Sequence, residues 1–225
     1  MDGIQLCAAI KGNFDTSHIL LILLTAKDSL SDRQRGYEAG ADSFIPKPFS
    51  GQLLLSRIHN MIKARKHLSD QILNRPLLDM AESKEQLPQS KDGNSAPNDK
   101  DTRTNELTNT LSPIDRQFLE KLTNVIKENI DNPDLSVIFL AEHLFMSQPT
   151  LYRKTSAILG ISTQEYVRHL RIERAKELLI EGLMTVSQIA FATGFKSQVA
   201  FGNAFKKETD MTPKEFTAAH TKPEL

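Results

Sequence analysis

Residues 136–154 read SVIFLAEHLFMSQPTLYRK, and residues 185–203 read TVSQIAFATGFKSQVAFGN. The two stretches, taken together, decide the fold of the C-terminal half. In the first, Ser136 is placed to cap a short helix carrying Val137, Leu140, Ala141 and Leu144. After Phe145-Met146, Ser147 caps a second helix with Leu151 facing inward. In the second stretch, Thr185 caps Val186 to Thr193, Gly194 makes the turn, and Ser197 opens a helix through Lys207. Leu140-Ala141 before Ser147 is echoed by Ile189-Ala190 before Ser197, at an offset of about 50 residues. Two short helices joined by a tight turn form a helix-turn-helix, and here the figure occurs twice.

The surroundings fit this pattern. Ile114 to Ile130 is amphipathic, with Phe118, Leu119, Leu122, Val125 and Ile126 at helical spacing, and Asn132-Pro133-Asp134 breaks it. Gly160 ends the second helix of the first figure. Ser162 or Thr163 then caps a long helix from about Gln164 to Ile180, and Gly182 stops it. Thr212-Pro213 starts a final helix, with proline in its first turn.

Outward from this half the composition changes. Ser83 to Asn109 is polar and almost free of aliphatic residues, too poor in apolar surface to offset chain entropy, so residues 69–112 read as a disordered linker. Residues 1–68 alternate helical and strand-like pieces. Gly3 to Lys11 reads as a short helix with Ile4, Cys7, Ala8 and Ile10 on one side. The aliphatic run Ile19 to Leu24 fits a strand buried on both faces of a parallel sheet. Asp28 to Ala39 reads as a helix closed by Gly40, Ser43-Phe44-Ile45 as a second strand, and Ser50 as the cap of a helix to about Lys66. Strands alternating with helices imply right-handed crossovers. The expected fold class is therefore mixed: a small α/β segment with parallel strands, then an all-α domain with two helix-turn-helix units joined by a long helix.

The chain has 225 residues, with 28 basic and 28 acidic side chains, so a uniformly basic nucleic-acid coat is excluded. A basic face on a neutral protein is not. Arg153, Lys154, Arg168, Arg171, Arg174 and Lys176 face only Glu165 and Glu173 within residues 153–176. Lys196, Lys206 and Lys207 add to them, while residues 113–142 are net acidic. Arg171 and Arg174 also admit a plainer role, as helix-surface partners of Glu173, Glu177 or Glu181.

The single cysteine, Cys7, cannot form an internal disulfide, which points to a reducing cytoplasm. The longest apolar run is too short to span a bilayer. His18, His59, His67, His143, His169 and His220 are scattered without metal-ligand spacing, and no phosphate loop or nucleophile elbow occurs. No catalytic residue, metal or cofactor is called for, so an enzyme is not expected.

Met1-Asp2-Gly3, Thr25-Ala26-Lys27, Gly40-Ala41-Asp42 and Lys47-Pro48-Phe49 resemble, in order, the second half of a response-regulator receiver domain. The resemblance covers residues 1–68. It implies that Thr25 is the switch hydroxyl, Phe44 the aromatic switch position and Lys47 the lysine that pairs with a phosphoryl group. It also places the phosphate-accepting aspartate and the acidic metal-binding pair before Met1. The expected receiver is thus a truncated remnant without phosphoryl acceptance, and its first strand presents an unpaired aliphatic edge.

Leu140-Ala141, Ser147, Leu151, Arg153, Gly160, Tyr166, Arg171, Ala175, Leu178-Leu179, Ile189-Ala190, Gly194-Phe195, Phe201, Phe205-Lys206 and Thr212-Pro213 resemble the DNA-binding domain of the AraC family of transcription regulators, over residues 113–221. That resemblance implies two recognition helices in the major groove of promoter DNA, spaced about 34 Å apart. In the first, Gln148, Pro149, Thr150, Tyr152, Arg153 and Lys154 are the candidate DNA contacts. In the second they are Lys196, Ser197, Gln198, Val199, Asn203 and Lys206. Phe195, Phe201 and Phe205 read as core. The family often has arginine at the position of Asn203 and glycine at that of Asp210, so the first helix is expected to dominate specificity.

The function these features imply is a sequence-specific transcription regulator of a two-component phosphorelay. A constitutive DNA binder freed by truncation, or a signalling interaction module without phosphotransfer, are the alternatives. Double-stranded DNA is the expected partner. A homodimer and RNA polymerase are further candidates, and an upstream histidine kinase would act only on an intact receiver.

Overall fold

The computed structural model describes residues 2–26, 29–74 and 111–220. The chain divides into two compact units, one built mainly on Met1–Asn74, the other mainly on Leu119–Ser156 and Ile161–Leu225.

The first unit holds α1 (Gly3–Gly12), β1 (Ile22–Thr25), α2 (Leu30–Glu38), β2 (Ser43–Pro46) and α3 (Gly51–Leu73). β1 and β2 are parallel, with Ile22 opposite Ser43 and Thr25 opposite Pro46. Fewer residues join the strand than the aliphatic run promised. Asp42 explains its start: its carboxylate accepts from Leu21 N–H at 2.7 Å and from Lys11 Nζ at 2.6 Å, diverting the backbone before Ile22. Gly40 follows α2 at φ +88°, where a Cβ would lie 3.1 Å from the Lys11 stem. Ile45 and Phe44 are buried, whereas Leu24 is 40% exposed and Ile22 and Leu23 only half-buried, so β1 is not buried on both faces as its aliphatic run suggested.

α3 runs past Lys66 to Leu73, so the first residues assigned to the linker are helical. Ile58, Met61, Arg65, Leu68 and Ile72 recur at three- and four-residue spacing, and the intervening His, Lys and Arg mask that stripe in a composition reading. Most of the expected linker, residues 75–110, lies outside the described residues.

α4 (Pro113–Glu128) leads into the second unit. There follow α5 (Val137–His143), α6 (Gln148–Leu159), α7 (Thr163–Glu181), α8 (Val186–Ala192), α9 (Gln198–Thr209) and α10 (Pro213–His220). α7 opens with a capping box between Ser162 and Glu165 and closes at Gly182, φ +69°. It buries apolar side chains along its whole length. Tyr166, toward its start, shares a buried hydrogen bond with Thr123 of α4 at 2.8 Å, and burial pushes the phenol pKa up. Toward its end, Ile172, Ala175, Leu178 and Leu179 join Ile189, Ala190, Phe201, Phe205 and Phe216 in one core. Of the phenylalanines expected in the core, Phe201 and Phe205 are buried and Phe195 packs on them half-buried; Phe216, not singled out in the sequence, completes a row meeting edge to face at centroid distances of 5.3–5.5 Å.

Candidate nucleic-acid interface

The two helix-turn-helix units are built by the same local devices. Ser136 caps α5 by accepting from Phe139 N–H at 3.2 Å, and Thr185 caps α8 by accepting from Gln188 N–H at 3.3 Å. Both first helices end in a left-handed residue, Phe145 at φ +54° and Gly194 at φ +73°. The next amide then turns back to the helix, Met146 to Ala141 O and Phe195 to Ala190 O, each at 2.9 Å. Ser147 and Ser197 cap the second helices through Thr150 N–H and Ala200 N–H. The second turn is one residue longer, and that residue is Lys196.

This geometry sorts the sequence-predicted contacts. Gln148, Pro149, Tyr152 and Arg153 are exposed on the first turns of α6, and Ser197, Gln198, Val199 and Asn203 on those of α9, with Lys206 one turn further on. Helix periodicity aligns these positions on one outward stripe per helix. Gln148, Pro149 and Tyr152 line an open hollow with Ser147, Ser162 and Thr163.

Two candidates are corrected. Lys154 is fully buried and Thr150 is 8% exposed. Lys154 lies three residues after Leu151 and four before Ile158, on the inward stripe, so its charge does not reach a phosphate. Thr150 Oγ1 accepts from the Ser147 hydroxyl, 3.0 Å away, in the helix cap. The spacing to Leu151 carried this information, and side-chain type alone obscured it.

The basic residues of α7 are also mostly engaged. Arg174 pairs with Glu177 at 2.7 Å and with Glu181 at 3.8 Å, and Lys176 with Glu173 at 2.6 Å. Arg168 lies 3.8 Å from Glu208 and 4.0 Å from Glu165. For Arg174 the plainer surface-pair role therefore holds. Arg171 forms no such pair among the described contacts: its Nη2 donates to the Asn132 carbonyl at 2.6 Å, and burial pushes its pKa down. Lys196 is exposed and pairs with Asp134 at 2.8 Å, a hydrogen bond that holds the Asp134 carboxyl below its usual range. Asn132 and Asp134 were legible only as a helix breaker.

In the first unit, Thr25 and Lys47 stand at the C-terminal ends of two adjacent strands, where open α/β sheets bind ligands, while Phe44 lies within β2 opposite Leu23. Thr25 ends β1, Lys47 follows β2 with its amide donating to Thr25 O at 2.6 Å, and Phe44 is buried beside Gly36. Lys47 is exposed. Asp2 is occupied as the α1 cap, accepting from Gln5 N–H at 2.8 Å. Among the described residues, no cluster of three His, Cys, Asp or Glu could hold a metal ion, and no helix is long and apolar enough to cross a membrane.

Comparison with known proteins finds two matching segments. Residues 1–59 match the response regulator receiver domain and residues 140–219 the helix-turn-helix domain. The two matches place a response-regulator receiver segment before a helix-turn-helix domain in one chain. It is 30% identical to histidine kinase P4 of Formosa agariphila over 96% of its own length and 14% of that protein's. It is 41% identical to response regulator MprA of Mycobacterium tuberculosis over 29% of this chain and 28% of that one. The C-terminal domain of AraT, a response regulator from Geobacillus stearothermophilus, is similar at 30% identity, covering 51% of this chain and 92% of that domain, with a TM-score of 0.45. The chain thus spans under a third of the length of these first two relatives.

Proposed function

We propose that the chain is a sequence-specific transcription regulator of a two-component phosphorelay, which reads duplex DNA with α6 and α9. The carrying observation is the duplicated capped turn, which exposes Gln148, Tyr152 and Arg153 on one helix and Ser197, Gln198 and Asn203 on another. Base readout falls to these residues, with Arg153 suited to a guanine edge and Gln148 to adenine. Pro149 and Val199 are suited to thymine methyls, and Lys196 and Lys206 to phosphates. The partners are promoter DNA, RNA polymerase and a second copy of the chain, and the setting is cytoplasmic. The chain itself performs no catalysis.

Phosphoryl acceptance is not assigned to these residues, because Asp2 serves as a helix cap. Acetyl phosphate therefore leaves the duplex affinity of this chain unchanged, and a shift in affinity on adding it would contradict that assignment. The DNA-binding function is tested by titrating a promoter-derived duplex at several salt concentrations. A logarithmic slope corresponding to several released counterions supports it. Absence of binding at low ionic strength refutes it.

A further inference from the structure

Residues 129–134 connect α4 to α5, so whatever holds them sets where the first helix-turn-helix begins. Three separate contacts hold them, all from the second half of the domain. Arg171, in the middle of α7, donates Nη2 to Asn132 O at 2.6 Å. Gly194, the turn of the second unit, packs so closely that a Cβ there would collide with Ile130 O and lie 2.7 Å from Arg171 Nη2. Lys196 reaches Asp134 at 2.8 Å. The Arg171 guanidinium also sits over the Phe195 ring, 5.9 Å from its centroid.

We propose that Arg171 is a positioning residue whose clamp on Asn132, Gly194 and Phe195 fixes the separation of the two recognition helices, so that the domain measures the spacing between two half-sites as well as their sequences. This rests on the DNA-binding function proposed above. The chemistry favours arginine for the task. One edge of a planar guanidinium holds a carbonyl while its face lies on an aromatic ring, and lysine cannot do both. The DNA side supplies the ruler. One inserted base pair moves the second half-site by about 3.4 Å and turns it by roughly 35°. A stiff pair of reading heads then loses one set of contacts, and a loosened pair keeps both.

The test uses a duplex selected from a randomised pool by the wild-type chain, with its half-sites mapped by base substitution. Three versions are compared: the selected spacing, one base pair inserted, and a single half-site. The wild-type chain prefers the selected spacing over the insertion by about tenfold or more. In Arg171→Lys the preference falls to about threefold or less, while affinity for the single half-site stays within about twofold. Should Arg171→Lys fail to fold, Phe195→Leu, which removes the ring beneath the guanidinium, carries the same comparison. A folded variant with an unchanged spacing preference, or with equal losses on all three duplexes, overturns the clamp alone. A wild-type chain that binds the single half-site as tightly as the selected duplex overturns the two-headed function and the clamp with it.

Discussion

Phe145 sits at φ +54° and is 97% exposed, a bulky residue in the left-handed region with almost nothing packed on its side chain. The equivalent turn of the second unit uses Gly194. Phe145→Gly therefore raises stability, by about 1 kcal/mol, because it relieves the backbone and gives up little burial. A higher urea midpoint is the expected result, and a lower one would show that the ring is held by contacts in solution. Arg153 and Asn203 are the sharpest pair for readout. Arg153→Ala costs about 1–3 kcal/mol of discrimination at one base position, and Asn203→Ala costs less. The reverse order in competition binding would contradict the dominance of α6. Lys154 belongs to a different category. Its replacement by alanine lowers the melting temperature and leaves the salt dependence of DNA binding unchanged, since a buried cation releases no counterion. Whether a lysine faces phosphate or core depends on its phase relative to Leu151 and Ile158, which is legible in the sequence once side-chain type is set aside.

The elements were legible because their ends carry strong local signals. Asp2, Ser50, Ser136, Ser162, Thr185 and Ser197 each cap a helix, and Gly160, Gly182 and Gly194 each take a positive φ. What escaped was decided by partners distant in sequence. Asp42 cuts β1 short by holding Leu21, and Arg171 captures Asn132 from 39 residues away. The capping carboxylates also carry a pH signature. Glu165 and Glu215 are held below their usual range by the amides and hydroxyls of Ser162 and Thr212. Their folded values lie below the unfolded ones, so their contribution is complete above the ordinary carboxylate range and is lost as pH falls through the lowered values. Acid titration followed by circular dichroism should show α-helix lost below, not above, the ordinary Glu range. In the first unit, two short parallel strands give little cooperative stability. Amide exchange at Leu24, on the side of β1 away from β2, should approach that of an open chain, and strong protection there in a monomer would contradict the exposed edge.

At the scale of the molecule, the second unit repeats one capped helix-turn-helix before and after α7, and in the first unit Thr25 and Lys47 stand at the C-terminal ends of adjacent strands. Both assignments were accessible from motif order, because each motif residue has a local job: a cap, a turn or a buried stripe. The coupling of the two devices through Arg171 was not, because no spacing rule joins Asn132 to Gly194. The central claim is that two exposed helix faces enter the major groove on one side of the duplex. Methylation-protection footprinting of the wild-type chain on its selected duplex tests this most directly. Two protected guanine or adenine clusters should appear, centred about 10 base pairs apart, the first fading in Arg153→Ala and the second in Gln198→Ala. A single cluster, or two clusters on opposite sides of the helix, would contradict the claim.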